Sequence, residues 1–396
     1  MKEYSSSEML AKLISFDTTS WKSNLELIDF VVDYLNGYGV SSQVFYNEEK
    51  TKANLLATIG PKDVPGIILS GHTDVVPVAE QNWSYDPFDM IERDGKLFGR
   101  GTCDMKGFIA CVLAAVPRFV EADLSEPLHL AFSYDEETGC TGVMSLVEYV
   151  KAMPVRPRAC IVGEPTSMRV VNSHKGISHL LTRVYGVEAH SSTDKGLNAV
   201  MYAAKMIGFL GELAHELTTC PPLVEGFEPP YTTVHVGRVK GGTAANITPS
   251  YCEIEWDIRP MPGQECAEIM DRFNSFIADS ILPAMKARAS ETLIENAADK
   301  IWVETEILSN VPPLLPETGS SAETLVLALA NQNAVTVVSY GTEAGLFQAT
   351  GGVPTVVFGP GSILQAHRPD EYIDCTEMTS CDEFLGRLLS IIRVQD

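Results

Sequence analysis

The segment that decides the fold is residues 66–74, Gly-Ile-Ile-Leu-Ser-Gly-His-Thr-Asp. The apolar run predicts a short buried strand, and Gly71 marks the point where that strand ends. His72 and Asp74 are then expected at the mouth of a sheet, two residues apart. A metal-bound histidine normally donates its second ring N–H to a carboxylate, so this pair supplies a ligand and an acid that can orient it. Taken alone, the pattern is more typical of a surface histidine.

Other polar side chains follow strand-like runs or a glycine-rich loop in the same way. In α/β proteins, ligands bind in the crevice outside the carboxyl ends of the strands, so these side chains are expected to meet at one edge of the sheet. Each acid by itself is more simply a solvated loop charge, whereas the whole set predicts a metal centre. Besides His72, the set comprises Asp104, Glu136, Glu137, Glu164 and His367.

This donor set suits a hard-to-borderline divalent metal, and zinc accepts both nitrogen and oxygen ligands. With one of the two adjacent acids left out, the set supplies five ligands, which exceed one tetrahedral site but suffice for two ions that share a bridging carboxylate. Glu136 and Glu137 are adjacent and cannot easily both bind the same pair of ions. One of them is therefore left free to carry a proton.

The composition restricts the class of protein. The chain has 396 residues, enough for two domains, and a net charge of −23 from 29 basic and 52 acidic residues. This charge argues against binding to nucleic acids or anionic membranes. The sequence contains no apolar run long enough for a transmembrane helix, and residues 1–7 lack the apolar core of a signal peptide. Nine scattered cysteines without a Cys-x-x-Cys pair favour a reducing compartment, so we expect a cytoplasmic protein.

The order of predicted elements divides the chain. Up to about residue 175, helix-like and strand-like segments alternate, which indicates an α/β domain with a largely parallel sheet. The following pattern is β-α-β-β-α-β, a ferredoxin-like α+β unit whose last helix is predicted over Glu265–Leu282. The predicted domains are residues 1–177, an inserted domain over 178–310, and the rest of the α/β domain over 311–396.

Several motifs resemble those of one enzyme family. The segments Gly71–Pro77, Gly99–Gly107, Gly341–Gly345 and Gln365–His367 are similar to those of the dinuclear-zinc metallohydrolases. This family includes aminoacylases, carboxypeptidase G-type enzymes, and desuccinylases and deacetylases of amino acids. The resemblance covers essentially the whole chain. It implies a zinc-exopeptidase-like catalytic domain, with helices on both faces of its sheet, and an inserted lid and dimerisation domain.

The resemblance also implies a role for each residue of the set. Asp74 would orient a ligand histidine, and Glu136 would be the general base and acid. Zinc is the expected metal, and cobalt is the other that fits. The implied ligands are His72 and Glu164 for one ion, Glu137 and His367 for the other, and Asp104 as the bridge between them.

Three residues of the inserted domain are implied to act on the substrate. His190 would act in the active site of a partner subunit, which makes the chain a homodimer; the alternative is a solvent-exposed turn histidine. Asn246, in a glycine-rich loop, would lie near the substrate. Arg259, at the end of a strand, suits bidentate recognition of a substrate α-carboxylate, although it could also be an ordinary strand-end charge.

The segment 341–347, Gly-Thr-Glu-Ala-Gly-Leu-Phe, bears on the choice of N-acyl amino acid substrate. Related aminoacylases and desuccinylases carry an arginine there, whereas Glu343 favours a cationic group such as the ornithine side chain. The expected reaction is hydrolysis of N2-acetyl-L-ornithine to L-ornithine and acetate in arginine synthesis. Alternatively, Glu343 only begins a helix. The remaining alternatives are another amidohydrolase of this scaffold (a broad aminoacylase, desuccinylase or dipeptidase) and a non-catalytic metal-binding relative, which the extra acid Glu136 disfavours.

Overall fold

The computed structural model describes residues 2–219, 223–291 and 299–394. The chain forms two compact units, one made of Met1–His174 with Leu314–Asp396 and the other of Lys175–Pro313. The domain boundaries predicted after residues 177 and 310 each lie three residues from the boundaries of these units. Within the described ranges, the structure contains no helix that is both long and apolar enough to span a membrane.

The helices are numbered along the described part of the chain. They are α1 (Ser6–Ile14), α2 (Leu25–Gly37), α3 (Lys106–Glu121), α4 (Met144–Lys151), α5 (Ala199–Leu217), α6 (Cys266–Phe276), α7 (Leu282–Glu291), α8 (Ser321–Ala330), α9 (Ala344–Ala349) and α10 (Cys375–Ile392). A π-helical stretch, Ile277–Ile281, joins α6 to α7.

The strands are numbered in the same way. They are β1 (Ser42–Tyr46), β2 (Ala53–Ile59), β3 (Ile67–His72), β4 (Ile91–Arg93), β5 (Lys96–Phe98), β6 (Leu128–Ser133), β7 (Ala159–Val162), β8 (Val171–His174), β9 (Ile177–Tyr185), β10 (Ala189–His190), β11 (Thr233–Gly241), β12 (Ile247–Thr248), β13 (Tyr251–Arg259), β14 (Trp302–Val311), β15 (Thr336–Val338), β16 (Thr355–Val357) and β17 (Tyr372–Asp374).

The first unit is built around an eight-stranded sheet in the order β1-β2-β6-β3-β7-β16-β8-β15. Strand β3 is parallel to both of its neighbours, β6 and β7, and β16 is parallel to β7. At one edge, β1 and β2 pair antiparallel. Strands β3, β6 and β7 are buried at every position, which is typical of parallel strands covered on both faces. The predicted α/β class with a mainly parallel sheet is confirmed.

Alternate side chains of the central strands pack against different helices. Ile67 and Leu69 of β3 belong to one large apolar core that also includes buried residues of α1, α2, α3, α8 and α10. Ile68 is buried outside this core. Helix α4 contacts β2, and α9 contacts β7 and β16, and these two helices cover the opposite face. The carboxyl ends of the parallel strands are therefore held rigidly between two layers.

The second unit contains a four-stranded antiparallel sheet in the order β11-β13-β9-β14. Residues of β9 and β13 alternate between buried and half-buried, so one face of the sheet is covered. The covered side chains pack with residues of α5, α6 and α7 in a separate apolar core. Its main elements follow each other as β9-α5-β11-β13-α6-β14, which is the β-α-β-β-α-β order of a ferredoxin-like unit.

The last helical segment of the second unit is longer than the sequence predicts. The prediction ends at Leu282, but the helical path continues through the π-helical stretch into α7 and reaches Glu291. Pro283 lies directly after that stretch. A proline cannot donate a backbone N–H within a helix, and the wider π turn before it accommodates this loss.

Candidate metal centre

His72 is the last residue of β3 and lies at the carboxyl end of the central sheet. Its ring is fully buried. Nδ1 lies 2.9 Å from the carbonyl oxygen of Asp74, which can only accept, so Nδ1 carries the proton and donates it. Nε2 is then the atom that faces the acids, 3.0 Å from Asp104 Oδ1 and 3.6 Å from an oxygen of Glu164.

Asp104 lies between the two histidines of the predicted set. Its Oδ1 approaches His72 as described, and its Oδ2 lies 3.3 Å from Nε2 of His367. Burial by itself raises the pKa of Asp104, but the hydrogen bonds with His367 and His72 outweigh burial and lower it. One carboxylate that reaches both histidines has the arrangement of a bridging ligand.

Glu137 and His367 form a second pair, with 3.1 Å between Glu137 Oε2 and His367 Nε2. The carboxylates of Asp104 and Glu137 raise the pKa of His367 to about 10. Burial raises the pKa of Glu137 to about 7. The other oxygen, Glu137 Oε1, is buried without a hydrogen-bond partner among the described residues. An unpartnered buried polar atom is costly, and a metal ion would relieve this cost.

The remaining two acids lie beside His72. One ligand atom each from His72, Glu136 and Glu164 falls within 4.8 Å of the others, and the same holds for His72, Asp104 and Glu137. Burial and the neighbouring carboxylates raise the pKa values of Glu136 and Glu164 well above their ordinary range. Because both acids share one cluster with His72, proximity alone does not separate the ligand from the proton carrier.

The chemistry of this donor set fits divalent cations. Four carboxylates and two imidazoles converge in a largely buried place, and their negative charges repel one another when no cation lies between them. Nitrogen and oxygen donors together suit zinc and similar ions. The two overlapping clusters offer more donors than one tetrahedral ion uses, so the residues fit a pair of ions.

Asp74 makes more contacts than the predicted one with His72. Its carboxylate lies 3.6 Å from His72 Nδ1, farther than its own backbone carbonyl. Oδ1 accepts a hydrogen bond from the backbone N–H of Glu136 at 3.1 Å, and Oδ2 accepts from that of Glu137 at 3.2 Å. Ser20 Oγ also donates to Oδ2, at 2.8 Å. Asp74 therefore holds the backbone of the two adjacent acids next to His72.

Glu343 has a different environment from the one that the sequence predicts. It is fully buried, and its two carboxylate oxygens accept hydrogen bonds from Ser70 Oγ and Ser133 Oγ, each at 2.6 Å. These serines belong to the neighbouring strands β3 and β6. Glu343 immediately precedes α9, in agreement with the alternative of a helix start. Its burial argues against the predicted direct contact with a substrate ammonium, and we treat it as a link between two strands and a helix.

The other three residues predicted to act on the substrate belong to the second unit. His190, the last residue of β10, is exposed, and β10 pairs with β12. Asn246 immediately precedes β12, and its carbonyl oxygen accepts from the N–H of Ser191 at 3.0 Å. Arg259 is the last residue of β13, where its Nε donates to Asp257 Oδ1 at 3.3 Å. His190 thus lies on one pair of short strands, and Asn246 directly precedes the second strand of that pair.

Sequence reasoning missed an ion pair next to the predicted ligands. Arg100 and Glu371 are both almost completely buried, with 2.6 Å between Nη1 and Oε2. Arg100 lies in the same glycine-rich segment as Asp104, and Glu371 follows His367 by four residues. This closeness in sequence to two candidate ligands is the one signal that could have pointed to the pair. The sequence does not show that the two charges are buried.

The chain is similar to known proteins over most of its length. A family model described as "Peptidase family M20/M25/M40" matches residues 68–390. The acetylornithine deacetylase of Proteus mirabilis (strain HI4320) is 35% identical over 375 residues, covering 94% of this chain and 91% of that protein. The acetylornithine deacetylase of Pasteurella multocida (strain Pm70) is 33% identical over 382 residues, covering 95% and 93%. Among solved structures, the M20 family metallo-carboxypeptidase Sso-CP2 from Sulfolobus solfataricus has a TM-score of 0.75 at 17% identity, over 99% of each chain.

The chain therefore belongs to the peptidase family M20/M25/M40. It is a metal-dependent hydrolase of amide bonds, which confirms the predicted family and enzyme class. The solved structure, at 17% identity, supports the fold alone.

Proposed function

We propose that this chain hydrolyses N2-acetyl-L-ornithine to L-ornithine and acetate, as a step of arginine biosynthesis. The observation that carries the proposal is a pair of acid clusters that overlap at His72, with Asp104 lying 3.0 Å from His72 and 3.3 Å from His367. The choice of substrate is supported by the two relatives at 33% and 35% identity, both acetylornithine deacetylases.

In this proposal the cluster would hold two divalent ions. When bound, such ions would supply Lewis-acid chemistry, which lowers the pKa of a water molecule and polarises the carbonyl of the scissile amide. We propose zinc as the metal, with cobalt as the other that fits the donors. The residues that would hold them are His72 and Glu164 for one ion, His367 and Glu137 for the other, and Asp104 for both.

We assign the proton transfer to Glu136. Among the described residues, the one hydrogen bond to its carboxylate comes from Cys140 Sγ, a weak donor 3.5 Å away, so the carboxylate is free to exchange a proton. Its backbone is fixed by the bond from its N–H to Asp74. As a base, Glu136 takes a proton from the attacking water. As an acid, it gives that proton to the leaving amine nitrogen, so that one water is consumed and the carboxylate is restored.

Substrate recognition is assigned to the second unit. Arg259 ends a strand, and its planar guanidinium suits bidentate binding of the substrate α-carboxylate. We propose that Asn246 and His190 contact the acyl group and that His190 does so in the partner subunit of a homodimer. The exposure of both side chains, and their common position at the pair of short strands β10 and β12, support this assignment.

The proposed setting is the cytoplasm. The eight cysteines in the described ranges are free thiols, and six of them are buried. Unpaired, buried cysteines are typical of proteins that stay in a reducing compartment.

A substrate panel with the zinc-loaded enzyme tests the proposal. We expect the highest kcat/KM for N2-acetyl-L-ornithine, ahead of N-acetyl-L-glutamate, N-acetyl-L-methionine, N-succinyl-diaminopimelate and a dipeptide. N5-acetyl-L-ornithine is the matched control, since it has the same atoms with the acetyl group on the other amine. Preference for the succinylated compound or the dipeptide would replace the substrate but keep the enzyme class. Full activity in metal-free protein would overturn the mechanism.

A further inference from the structure

The carboxylate of Glu371 lies inside a concave loop formed by residues 99–104. Its Oε1 accepts hydrogen bonds from the backbone N–H groups of Gly101, Cys103 and Asp104, at 3.1, 2.9 and 3.1 Å. The backbone N–H of Gly101 also reaches Oε2, at 3.1 Å. Gly101 has a φ of +86°, in the left-handed region that favours glycine. Successive N–H groups in such a turn form a site for an anion, and here a side chain of the same protein occupies it.

Arg100 connects this carboxylate to the loop that carries His367. Its Nη1 donates to Glu371 Oε2 at 2.6 Å and to the carbonyl oxygen of Arg368 at 3.3 Å. Its Nη2 donates to Oε1 of Gln81 at 2.6 Å. The amide nitrogen of Gln81 in turn donates to the carbonyl oxygen of His367 at 3.0 Å. One chain of hydrogen bonds therefore runs from the backbone of Asp104 to the backbone of His367.

We propose that Glu371 is a positioning residue that fixes Asp104 relative to His367 for binding of the ion they share; this inference rests on the proposed function. Asp104 lies in a loop without helix or strand, because α3 begins only at Lys106. His367 also lies outside helices and strands, and its φ is +63°. Ligand distances in a metal site hold to within about 0.2 Å, so two such loops need a common support. His72, in contrast, is the last residue of β3, and Glu164 follows the end of β7 by two residues.

Glu371 acts through the backbone in this proposal and does not bind the metal itself. All the described hydrogen bonds that its carboxylate accepts come from backbone N–H groups or from Arg100, so its oxygens are already engaged. Replacing it by glutamine keeps its size but puts an NH₂ group against donors. The substitution also leaves the buried guanidinium of Arg100 without its counter-ion.

In the test, Co²⁺ is titrated into metal-free wild type and E371Q. Calorimetry measures the number of ions bound and their affinities, and the visible absorption of bound cobalt reports their coordination. Wild type should bind two ions per chain. E371Q should bind the ion held by His367 about 10–100-fold more weakly than wild type, the usual effect of losing a hydrogen-bonded support of a ligand. The other ion, which shares only Asp104 with it, should show a smaller loss. The spectrum of the weak ion should change even at saturating cobalt, which a general loss of stability would not cause.

The matched control is E323Q. Glu323 is also a buried carboxylate of the first unit, and it accepts hydrogen bonds from the backbone N–H of Gly319 at 2.9 Å and from Asn172 Nδ2 at 2.7 Å. None of these residues carries a candidate ligand. E323Q should lower the thermal unfolding temperature but leave both cobalt affinities and the spectrum unchanged.

A second variant keeps the test decisive if E371Q does not fold. Q81L cuts the connection from Arg100 to the His367 carbonyl without leaving Glu371 unpaired, and it should weaken the same ion by roughly tenfold. Wild-type cobalt binding in folded E371Q, or in Q81L where E371Q does not fold, would overturn the inference. Equal losses in E323Q and E371Q would also overturn it. Wild type that binds fewer than two ions would overturn the proposed function and the inference together.

Discussion

Replacing Glu136 by glutamine tests how two adjacent acids share the work of one site. The substitution keeps the size of the side chain and removes its ability to carry a proton. The loop itself should not move, because Asp74 holds the backbone N–H groups of Glu136 and Glu137 rather than their side chains. Among the described residues, the one hydrogen bond lost at the carboxylate is the weak one from Cys140. Any large effect should therefore report proton transfer.

The size of the effect follows from the number of steps that Glu136 serves. A general acid–base group contributes roughly 10²–10⁴-fold to the rate, or about 2.7–5.4 kcal/mol of activation free energy. Glu136 is assigned both the removal of a proton from water and its delivery to the amine. We therefore expect kcat of E136Q to fall by an amount near the upper end, about 10⁴-fold, with two ions still bound.

The matched variant is E137Q, one residue along the chain. Glu137 contacts His367 through one oxygen, and its other oxygen has no hydrogen-bond partner among the described residues. Loss of this charge should weaken one ion, so E137Q should contain about one ion after dialysis and regain activity when zinc is added in excess. The assay is elemental analysis of dialysed protein together with kcat measured at increasing zinc concentration.

Two results would refute the division of roles. If E136Q loses an ion while E137Q keeps both and is inactive at saturating zinc, the assignments are reversed. If both variants keep two ions and wild-type kcat, neither acid does what the geometry implies, and the proton must move through another group.

Four further outcomes are expected. Metal-free protein should lose thermal stability as pH rises from about 5 to 9, because the folded state holds protons more tightly than the unfolded state at Glu137 (pKa about 7) and His367 (pKa about 10). Zinc-loaded protein should not show this loss. Identical pH profiles of the unfolding temperature for the two forms would contradict the reasoning. Arg259→Met should raise KM for acetylornithine by roughly 10–100-fold and leave that of its α-amide nearly unchanged, since charge-assisted hydrogen bonds contribute about 1.5–3 kcal/mol; equal changes would remove Arg259 from carboxylate binding. Mixed His190→Ala and Glu136→Gln chains should regain activity after subunit exchange, and failure despite proven exchange would place His190 outside the partner's site. Glu343→Gln should leave the relative kcat/KM values of the substrate panel unchanged because the carboxylate is buried; an altered ranking would restore its predicted role.

The fold, and the edge of the sheet where the candidate ligands meet, were predictable because both depend on local patterns. Strands β3, β6 and β7 are short buried segments of four to six residues, and a polar candidate residue lies at the end of each strand or shortly after it. Parallel strands align their carboxyl ends, so side chains that are far apart in sequence are brought to one edge by topology alone. This is why His72 and Glu164 could be placed together without knowledge of any contact between them.

What could not be predicted depends on packing between distant segments. Glu343 looks like a loop acid in the sequence, and its burial arises only when Ser70 and Ser133 meet it from two strands. The hydrogen bond from Ser20 to Asp74 could not be predicted either, because Ser20 belongs to none of the motifs. Such contacts join residues that share no periodic pattern, so composition and spacing carry no trace of them.

The structure also separates the acids of this site by a criterion that residue type does not provide. Asp74 and Glu371 are carboxylates whose oxygens accept several N–H or O–H donors each, so their charge is already compensated by the protein. Within the described part of the chain, one buried oxygen of Glu137 has no hydrogen-bond donor, and the carboxylate of Glu136 accepts a hydrogen bond only from the thiol of Cys140. A carboxylate surrounded by donors holds a loop in place, whereas one left without them is available to a cation or a proton. We therefore expect the donors around each acid, which the sequence does not reveal, to distinguish the acids that act from those that support them.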